Sequence, residues 1–443
     1  MIRLPVDTGV SGWFALSTRH MPVKVLERER TADWLIIGAG FAGLSAARRL
    51  AQLRRGDRIV VLDAKEVAEG PAGRNSGFMI DLPHNLTSGK YSPNDMRQSA
   101  AEIGQNRFAI AFATSAAQEY GMPRGVFDPC GKTNAASTAR GEKLNAEFAR
   151  SLASMRETYE KLDAAAMRDM TGTSYYRGGL HTPGAVMIQP AAYIRTFAAA
   201  LAKVADIYEN SPVIGLKQEG SIWTARTPHG AVSAPKVILA VNGHVEDFGH
   251  FAGHLMHVFT YASMTKALRP STEEFKRTGV DAWGLVPADP MGATVRKFSS
   301  NGEARLVIRT RFTFDPQLQV SKARVAKIAA AQRRSFDGRF PHLKGLPMEF
   351  RWAGRLCLSL NHVPAFGEIE ENLYSACCEN GLGTVKSTLA GLLAADLAAG
   401  IHSDQLDEFR GQPQPSRLPP APLAWLGINS VIRWQEMRAG REG

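Results

Sequence analysis

Residues 34–63 restrict the possible folds more than any other stretch. "DWLIIGAG" is an apolar run that stops at glycine, and "FAGLSAARRLAQLRR" places Leu44, Ala47, Leu50, Ala51 and Leu53 at helical spacing. Gly56 stands where that helix would end, and "IVVLDA" is a second apolar run. Strand, helix and strand in this order predict a βαβ unit with parallel strands. Gly38, Gly40 and Gly43 form G-x-G-x-x-G at the strand-to-helix turn. The first glycine permits the tight turn, the second lets the backbone approach a pyrophosphate, and the third lets helix and strand pack closely. Asp63 closes the second strand, where a carboxylate can accept from ribose hydroxyls. The turn Gly38, Ala39, Gly40, Phe41, Ala42, Gly43 and the strand end Asp63, Ala64, Lys65 are therefore expected to contact a dinucleotide.

This pattern suits NAD and FAD equally, because both contain ADP. The stretch "GPAGRNSGF", Gly70 to Phe78, separates them. It follows the second strand, where a short connection would suffice for a nucleotide alone. Backbone N–H groups and Arg74 could meet phosphate oxygens there while glycines allow close approach to a ribityl chain and ring. The stretch is otherwise an ordinary flexible surface loop.

With 443 residues the chain carries two to three domains' worth of folded material. Its 44% hydrophobic and 21% charged content is that of a soluble globular protein. No uninterrupted apolar run reaches the roughly 18 to 20 residues of a membrane helix. The first thirty residues lack an apolar signal core, so an extended arm and a cytoplasmic location are expected. Four cysteines (Cys130, Cys357, Cys377 and Cys378) fit reduced thiols. The net charge of +11 is scattered, as in "LRRGDR" and "RTRF", without interleaved aromatics, so no nucleic-acid partner is expected.

"DWLIIGAGFAGLSAARRL", "VVLDA", "GPAGRNSGF", "VILAVNGH", "RWAGRLCLSLNHVPAFGEI" and "CCENGLGTVKSTLAGLLAADL" together resemble the D-amino-acid oxidase-like flavoprotein family, which includes glycine and sarcosine oxidases. The branch most similar is that of γ-glutamylputrescine oxidase-like amine oxidoreductases. The resemblance runs from about Ser11 to Gly400 in the cofactor half and is thinner in the substrate half. It implies an α/β fold, with a Rossmann-like FAD-binding domain interleaved with an α+β substrate domain on a mixed β-sheet. The expected boundaries are an arm at 1–31, FAD-binding segments at 32–95, 185–250 and 346–410, substrate segments at 96–184 and 251–345, and a Pro-rich tail at 411–443, packed on the surface or partly mobile.

The same resemblance lays Gly73, Arg74, Asn75, Ser76 and Gly77 along the pyrophosphate, ribityl chain and flavin, and puts the Val213 backbone on the adenine. Ala240, Asn242 and Gly243 would pass near the cofactor, as would Gly354 of "RWAGRL". Gly381, Leu382, Gly383 and Thr384 would begin a helix facing the flavin N1 and C2 carbonyl, where charge gathers on reduction. Three positions depart from the family pattern. Ala72 replaces a usual serine, Asp63 replaces a frequent glutamate, and Leu356 stands where glycine-oxidase-like members carry a carboxylate-gripping arginine, Arg355 being one step off. An amine or modified amino acid is then better supported as substrate than a simple α-amino acid. Cys357 misses the position of covalent attachment in sarcosine oxidases, so non-covalent FAD is expected.

With flavin N5 as hydride acceptor the protein needs no nucleophile or metal; it positions a C–H bond, excludes water and favours the neutral amine. H-E-x-x-H, paired C-x-x-C and G-x-S-x-G are absent from the sequence, as are a dithiol pair in the cofactor helix and a second strand-linked G-x-G-x-x-G. Electrons would therefore leave to oxygen, a quinone or a carrier protein. His84, Tyr261, Arg296 and His362 are the candidate substrate contacts. The leading expectation is oxidation of an amine C–N bond to an imine that hydrolyses. The alternatives are an FAD-dependent 2-hydroxy-acid dehydrogenase and a flavin-binding subunit or tRNA-modifying flavoprotein.

Overall fold

The computed structural model describes residues 2–82, 93–300 and 302–443. Six strands, β1 (Trp34–Ile37), β2 (Ile59–Leu62), β3 (Asp206–Tyr208), β4 (Lys236–Leu239), β5 (Ala365–Glu370) and β6 (Leu373–Cys377), form one sheet in the order β3-β2-β1-β4-β6-β5. All neighbours are parallel except β5, which runs antiparallel to β6. Every residue of β1 and β2 is buried, as continuous apolar strands covered on both faces require.

Helix α1 (Phe41–Leu53) leaves β1 through the glycine turn and buries Leu44, Ala47 and Leu50. Helix α2 (Gly383–Ala399) follows β6 and packs on α1. The small residues of α2 have a steric reason: a β-carbon on Gly391 would lie 2.0 Å from the Ala42 carbonyl oxygen. The helix Pro93–Glu119 joins this pair through Arg48–Glu119 and Lys386–Glu102, both at 2.6 Å.

The second large sheet has eight strands. From one edge it runs Met348–Leu358, Met256–Thr265, Glu303–Phe314, Thr294–Ser300 and Trp283–Pro287, all antiparallel neighbours, and Trp283–Pro287 then pairs in parallel with Lys132–Ala136. The helix Lys322–Arg339 covers one face, where Gln332 bridges the Tyr261 carbonyl and the Ser263 hydroxyl, both at 2.6 Å. The fold is thus α/β, with a dinucleotide-type sheet and a mixed sheet interleaved along the chain.

A helix over Ala139–Ser154 and a strand over Glu160–Leu162 are separated by a turn with Arg156 at φ 60°. The tail is anchored. Helix α3 (Ala421–Ala439) docks Glu436 against the Phe312 N–H at 2.9 Å, and Glu442 accepts from the Ser137 and Thr138 N–H groups at 2.8 and 3.0 Å. Among the described residues no single helix is long and apolar enough to cross a membrane.

Candidate active site

The three fingerprint glycines differ in what holds them. Gly38 has φ +107°, and a β-carbon there would lie 2.4 Å from the Ala240 carbonyl oxygen at the end of β4. One on Gly43 would lie 1.7 Å from the Gly38 carbonyl oxygen, so both positions are fixed by the protein's own packing. Gly40 has no such neighbour; its nearest contact would be the Ala72 β-carbon at 3.6 Å. The space above Gly40 is part of a cavity. At the end of β2 the Asp63 carboxylate accepts from the Ala39 and Lys65 N–H groups at 2.8 and 2.9 Å, which fixes its direction. Burial pushes this carboxyl up to about 6, against the lowering effect of those two hydrogen bonds.

The loop Gly70–Phe78 is braced from below. A β-carbon on Gly73 would lie 1.9 Å from the Ala68 carbonyl oxygen, and one on Gly77 would lie 2.1 Å from Arg296 Nη1. Asn75 bridges its own loop, donating to the Ala72 carbonyl at 2.7 Å and accepting from the Gly77 N–H at 2.8 Å. Arg74, expected against phosphate oxygens, instead donates to the carbonyls of Glu69 at 2.8 Å, Gly9 at 2.6 Å and Ala353 at 3.2 Å. Its guanidinium fastens the arm and the strand Met348–Leu358 to the loop. Gly354 lies beneath, where a β-carbon would come within 3.0 Å of the Arg74 carbonyl oxygen; it supports the loop and is not part of the cavity wall. Gly243 has a comparable reason, since a β-carbon would meet His257 Nδ1 at 2.7 Å.

One cavity of about 1350 Å³ runs from the fingerprint to the mixed sheet, larger than the roughly 300–1,000 Å³ of common small-ligand pockets. Its cofactor-type end is walled by Gly38 to Ala42, Asp63 to Lys65, Ala72, Asn75, Ser76 and the Ser211 to Val213 backbone. Ala240, Asn242 and Gly243 form a further side. The start of α2 opens into the middle, where Gly381 (φ +89°), Leu382, Gly383 and Thr384 line the wall and Leu382 caps the helix without a side-chain hydrogen bond. The first-turn N–H groups thus have no side-chain acceptor and carry the helix's positive end. Glu379, beside this helix start, is a wall residue that the sequence reading missed. It is buried, one carboxylate oxygen accepts from the Cys357 N–H at 3.3 Å, the other has no partner, and desolvation raises its pKa. The signal lay in an acid set between "YSACC" and "NGLG".

The mixed-sheet end is floored by Thr260, Ala262, Thr294, Val307, Arg309 and Phe312. Of the three substrate candidates among the described residues, two stand at this cavity. His362 is at the rim, exposed, with φ 57°. Tyr261 contributes to the wall, but its ring packs with Phe259, Val325 and Ala353, and its hydroxyl bonds Thr313 at 2.7 Å. Arg296 does not line the cavity, which removes it from the candidate set. It is 4% exposed, its Nη1 donates to the carbonyls of Ile188, Gly77 and Ser76 at 2.6, 3.0 and 3.2 Å, and its guanidinium sits 5.0 Å from the Trp13 ring. His84 lies outside the described residues. Lys132 and Arg309, both in the wall, were overlooked because an isolated basic residue in a strand has no local signature. Burial pushes the Lys132 amine down to about 8, and it donates to Asn134 at 2.5 Å.

The sequence signature of the family described as FAD dependent oxidoreductase (DAO) matches residues 33–397. The chain belongs to this family. The oxidoreductase is 24% identical over 423 residues to a probable oxidoreductase OrdL of Rhizobium meliloti, covering 91% of each chain. It is 26% identical over 421 residues to the γ-glutamylputrescine oxidoreductase of Escherichia coli, covering 91% of this chain and 92% of that one. Among solved structures, a glycine oxidase from Geobacillus kaustophilus shares the fold with a TM-score of 0.70 at 19% identity, covering 88% of this chain and all of that one. The oxidoreductase is accordingly an FAD-dependent enzyme of α/β fold, with its βαβ unit and all but the last two residues of α2 inside the matched region.

Proposed function

We propose that the oxidoreductase oxidises a C–N bond of an amine or modified amino acid on the mixed-sheet side of its cavity, giving an imine that hydrolyses. The observation that carries this reading is the single cavity that joins the glycine turn, the free start of α2 and the mixed-sheet floor. The residues present fit FAD. Gly40 leaves open the space a pyrophosphate needs, Asp63 is aimed by two backbone N–H groups for ribose hydroxyls, and the Val213 backbone borders the place for adenine. The loop Ala72 to Ser76 and the start of α2 would hold the rest of the group. Cys357 is buried with its pKa raised, chiefly by the neighbouring Cys378 thiol, in keeping with non-covalent attachment.

When bound, FAD supplies the hydride acceptor. The chain's own contribution is to bind the amine, exclude water and set its protonation. Lys132 and Arg309 put positive charge on an otherwise largely apolar floor, which disfavours an ammonium and so favours the neutral amine. A neutral nitrogen can release its lone pair toward the carbon that loses hydride. The similarity to a γ-glutamylputrescine oxidoreductase over nine-tenths of both chains supports the substrate class.

The test is anaerobic mixing of the FAD-loaded protein with panels of amines, N-substituted amino acids and 2-hydroxy acids, reading flavin absorbance. Bleaching by an amine and recovery on admitting an acceptor is the expected result. Bleaching by hydroxy acids alone, or a protein that takes up no FAD, overturns the reading.

A further inference from the structure

Helix α3 (Ala421–Ala439) is apolar on two opposite sides, and the fold uses one of them. The inner side is fixed. Ala424, Ile428 and Ile432 pack with Met256, Val258 and Phe314. Asn429 exchanges two hydrogen bonds with the Phe314 backbone at 3.1 and 3.2 Å, and Glu436 accepts from Arg311 at 2.9 Å. On the outer side Leu423, Leu426, Trp434 and Met437 recur at helical spacing and are 65%, 56%, 52% and 73% exposed. A helix apolar all round belongs in an interior or at a lipid boundary, and a continuous apolar stripe left in water marks a contact surface.

The charges around the stripe have one sign. Arg433 and Arg438 border it on its two sides, and the Arg438 guanidinium lies 4.5 Å from the Trp434 ring. In the whole tail 411–443 the exposed charged residues are Arg417, Arg433, Arg438 and Arg441, while its two acids, Glu436 and Glu442, are buried. The helix Lys322–Arg339 adds Arg324, Lys327 and Arg334, which share a groove of about 610 Å³ with Trp425, Leu426 and Arg433. The acids of this groove are taken up internally, Asp315 by Arg324 and Glu436 by Arg311. The net charge of the chain, +11, has the same sign.

These charges choose among occupants. A second copy meeting through the same face would set arginines against arginines, because a two-fold interface brings one patch against itself. An anionic bilayer answers both the stripe and its rim. We infer that α3 is a docking helix that seats the oxidoreductase on an anionic phospholipid surface, lying in the interface plane without crossing it. Leu423, Leu426 and Met437 enter the boundary between headgroups and acyl chains, Trp434 sits at the headgroup level, and the arginines at the edges reach lipid phosphates. The attachment bears on the cavity, because Gln435 of α3 lies in the cavity wall and Phe312 borders both cavity and groove.

The FAD-loaded protein is sedimented with vesicles of phosphatidylcholine alone and of phosphatidylcholine mixed with phosphatidylglycerol, and tryptophan emission is read on the same samples. Binding to the mixed vesicles should be about tenfold or more tighter than to the neutral ones, should weaken in high salt and should shift the emission to the blue. The double variant Trp434→Ser, Met437→Ser should lose about tenfold or more of that binding. Arg433→Gln with Arg438→Gln should reduce the preference for anionic vesicles severalfold. All four side chains are exposed, so urea midpoints and flavin content should match the wild type. Should the serine pair not fold, Leu423→Ser with Leu426→Ser, at the other end of the stripe, decides the matter. Equal sedimentation with the two kinds of vesicle, or serine variants that bind as the wild type does, overturns the inference. So does a wild-type dimer in solution that the serine variants turn into a monomer, since a second copy would then cover the stripe. Vesicle binding is read without any substrate, so failure of the proposed amine oxidation and failure of this docking surface are separately visible.

Discussion

Arg296 Nη1 donates to the Gly77 carbonyl oxygen at 3.0 Å, and a β-carbon on Gly77 would stand 2.1 Å from that same nitrogen. The arginine and the loop are therefore fitted to each other 219 residues apart in sequence. Arg296→Met would remove a charged donor from the carbonyls of Ile188, Gly77 and Ser76, of which Gly77 keeps the Ile188 N–H at 2.9 Å, and should lower stability by about 3 kcal/mol. KM for the amine should stay within about twofold, because the side chain does not reach the cavity. Urea melts alongside steady-state kinetics check both parts, and a large KM effect with unchanged stability would falsify the structural role.

The fingerprint glycines allow a sharper separation. Gly43→Ala forces a β-carbon onto the Gly38 carbonyl oxygen at 1.7 Å and should prevent the turn from forming, lowering apoprotein stability by more than about 4 kcal/mol. Gly40→Ala meets only Ala72, at 3.6 Å. Its apoprotein should melt within about 0.5 kcal/mol of wild type while FAD affinity falls by about 100-fold or more. Melting curves of the stripped protein and flavin titration distinguish the two variants; a Gly40→Ala protein that binds FAD normally would remove the pyrophosphate from that spot.

Asp63, proposed above to hold the ribose, should make flavin retention depend on pH. Its folded carboxyl is raised from 3.8 to about 6 by burial, so the stripped protein binds an extra proton between these values relative to its unfolded chain. Stability of the stripped protein should accordingly rise as pH falls from above 6 toward 4, by up to about 3 kcal/mol from this group. FAD affinity should move the opposite way, because ribose hydroxyls need the ionised carboxylate, and protonation below about 6 removes that acceptor. Flavin fluorescence on dilution at pH 8, 6 and 5 should show progressive release, and Asp63→Asn should bind about tenfold more weakly at pH 8 with a flat profile through this window.

The contrast between Arg296 and Arg309 shows where the sequence stops being legible. The βαβ unit, its turn and α2 could be read directly, because strand burial, glycine spacing and small-residue packing are local patterns. The two arginines sit on adjacent strands two residues apart in register, Arg296 opposite Val307 and Arg309 opposite Thr294. Arg296 meets carbonyls delivered by Gly77 and Ile188, while Arg309 meets none among the described residues. Nothing within ten residues of either distinguishes them; the difference is made by segments more than a hundred positions away. The same holds for Arg74, whose carbonyl partners include Gly9 and Ala353, and for Glu442, which reaches back to Ser137.

Glu379 offers a test of how the wall near α2 is charged. Desolvation raises its pKa above the ordinary 4.5, with one oxygen accepting from the Cys357 N–H and the other unpartnered. A carboxyl raised in the folded state is ionised more easily in the unfolded chain, so it costs stability at neutral pH and above. That cost shrinks as pH falls and is gone once both states are protonated, near and below the ordinary value. Glu379→Gln keeps the acceptor for Cys357 and removes the charge. The stripped variant should therefore be more stable than wild type at pH 8, with the gain fading toward pH 4.5. Denaturant midpoints at pH 8, 6 and 4.5 measure it. A variant less stable than wild type at pH 8 would mean that the carboxylate is held by a positive partner, and the free end of α2, a few residues along the chain, would be the first place to look for one.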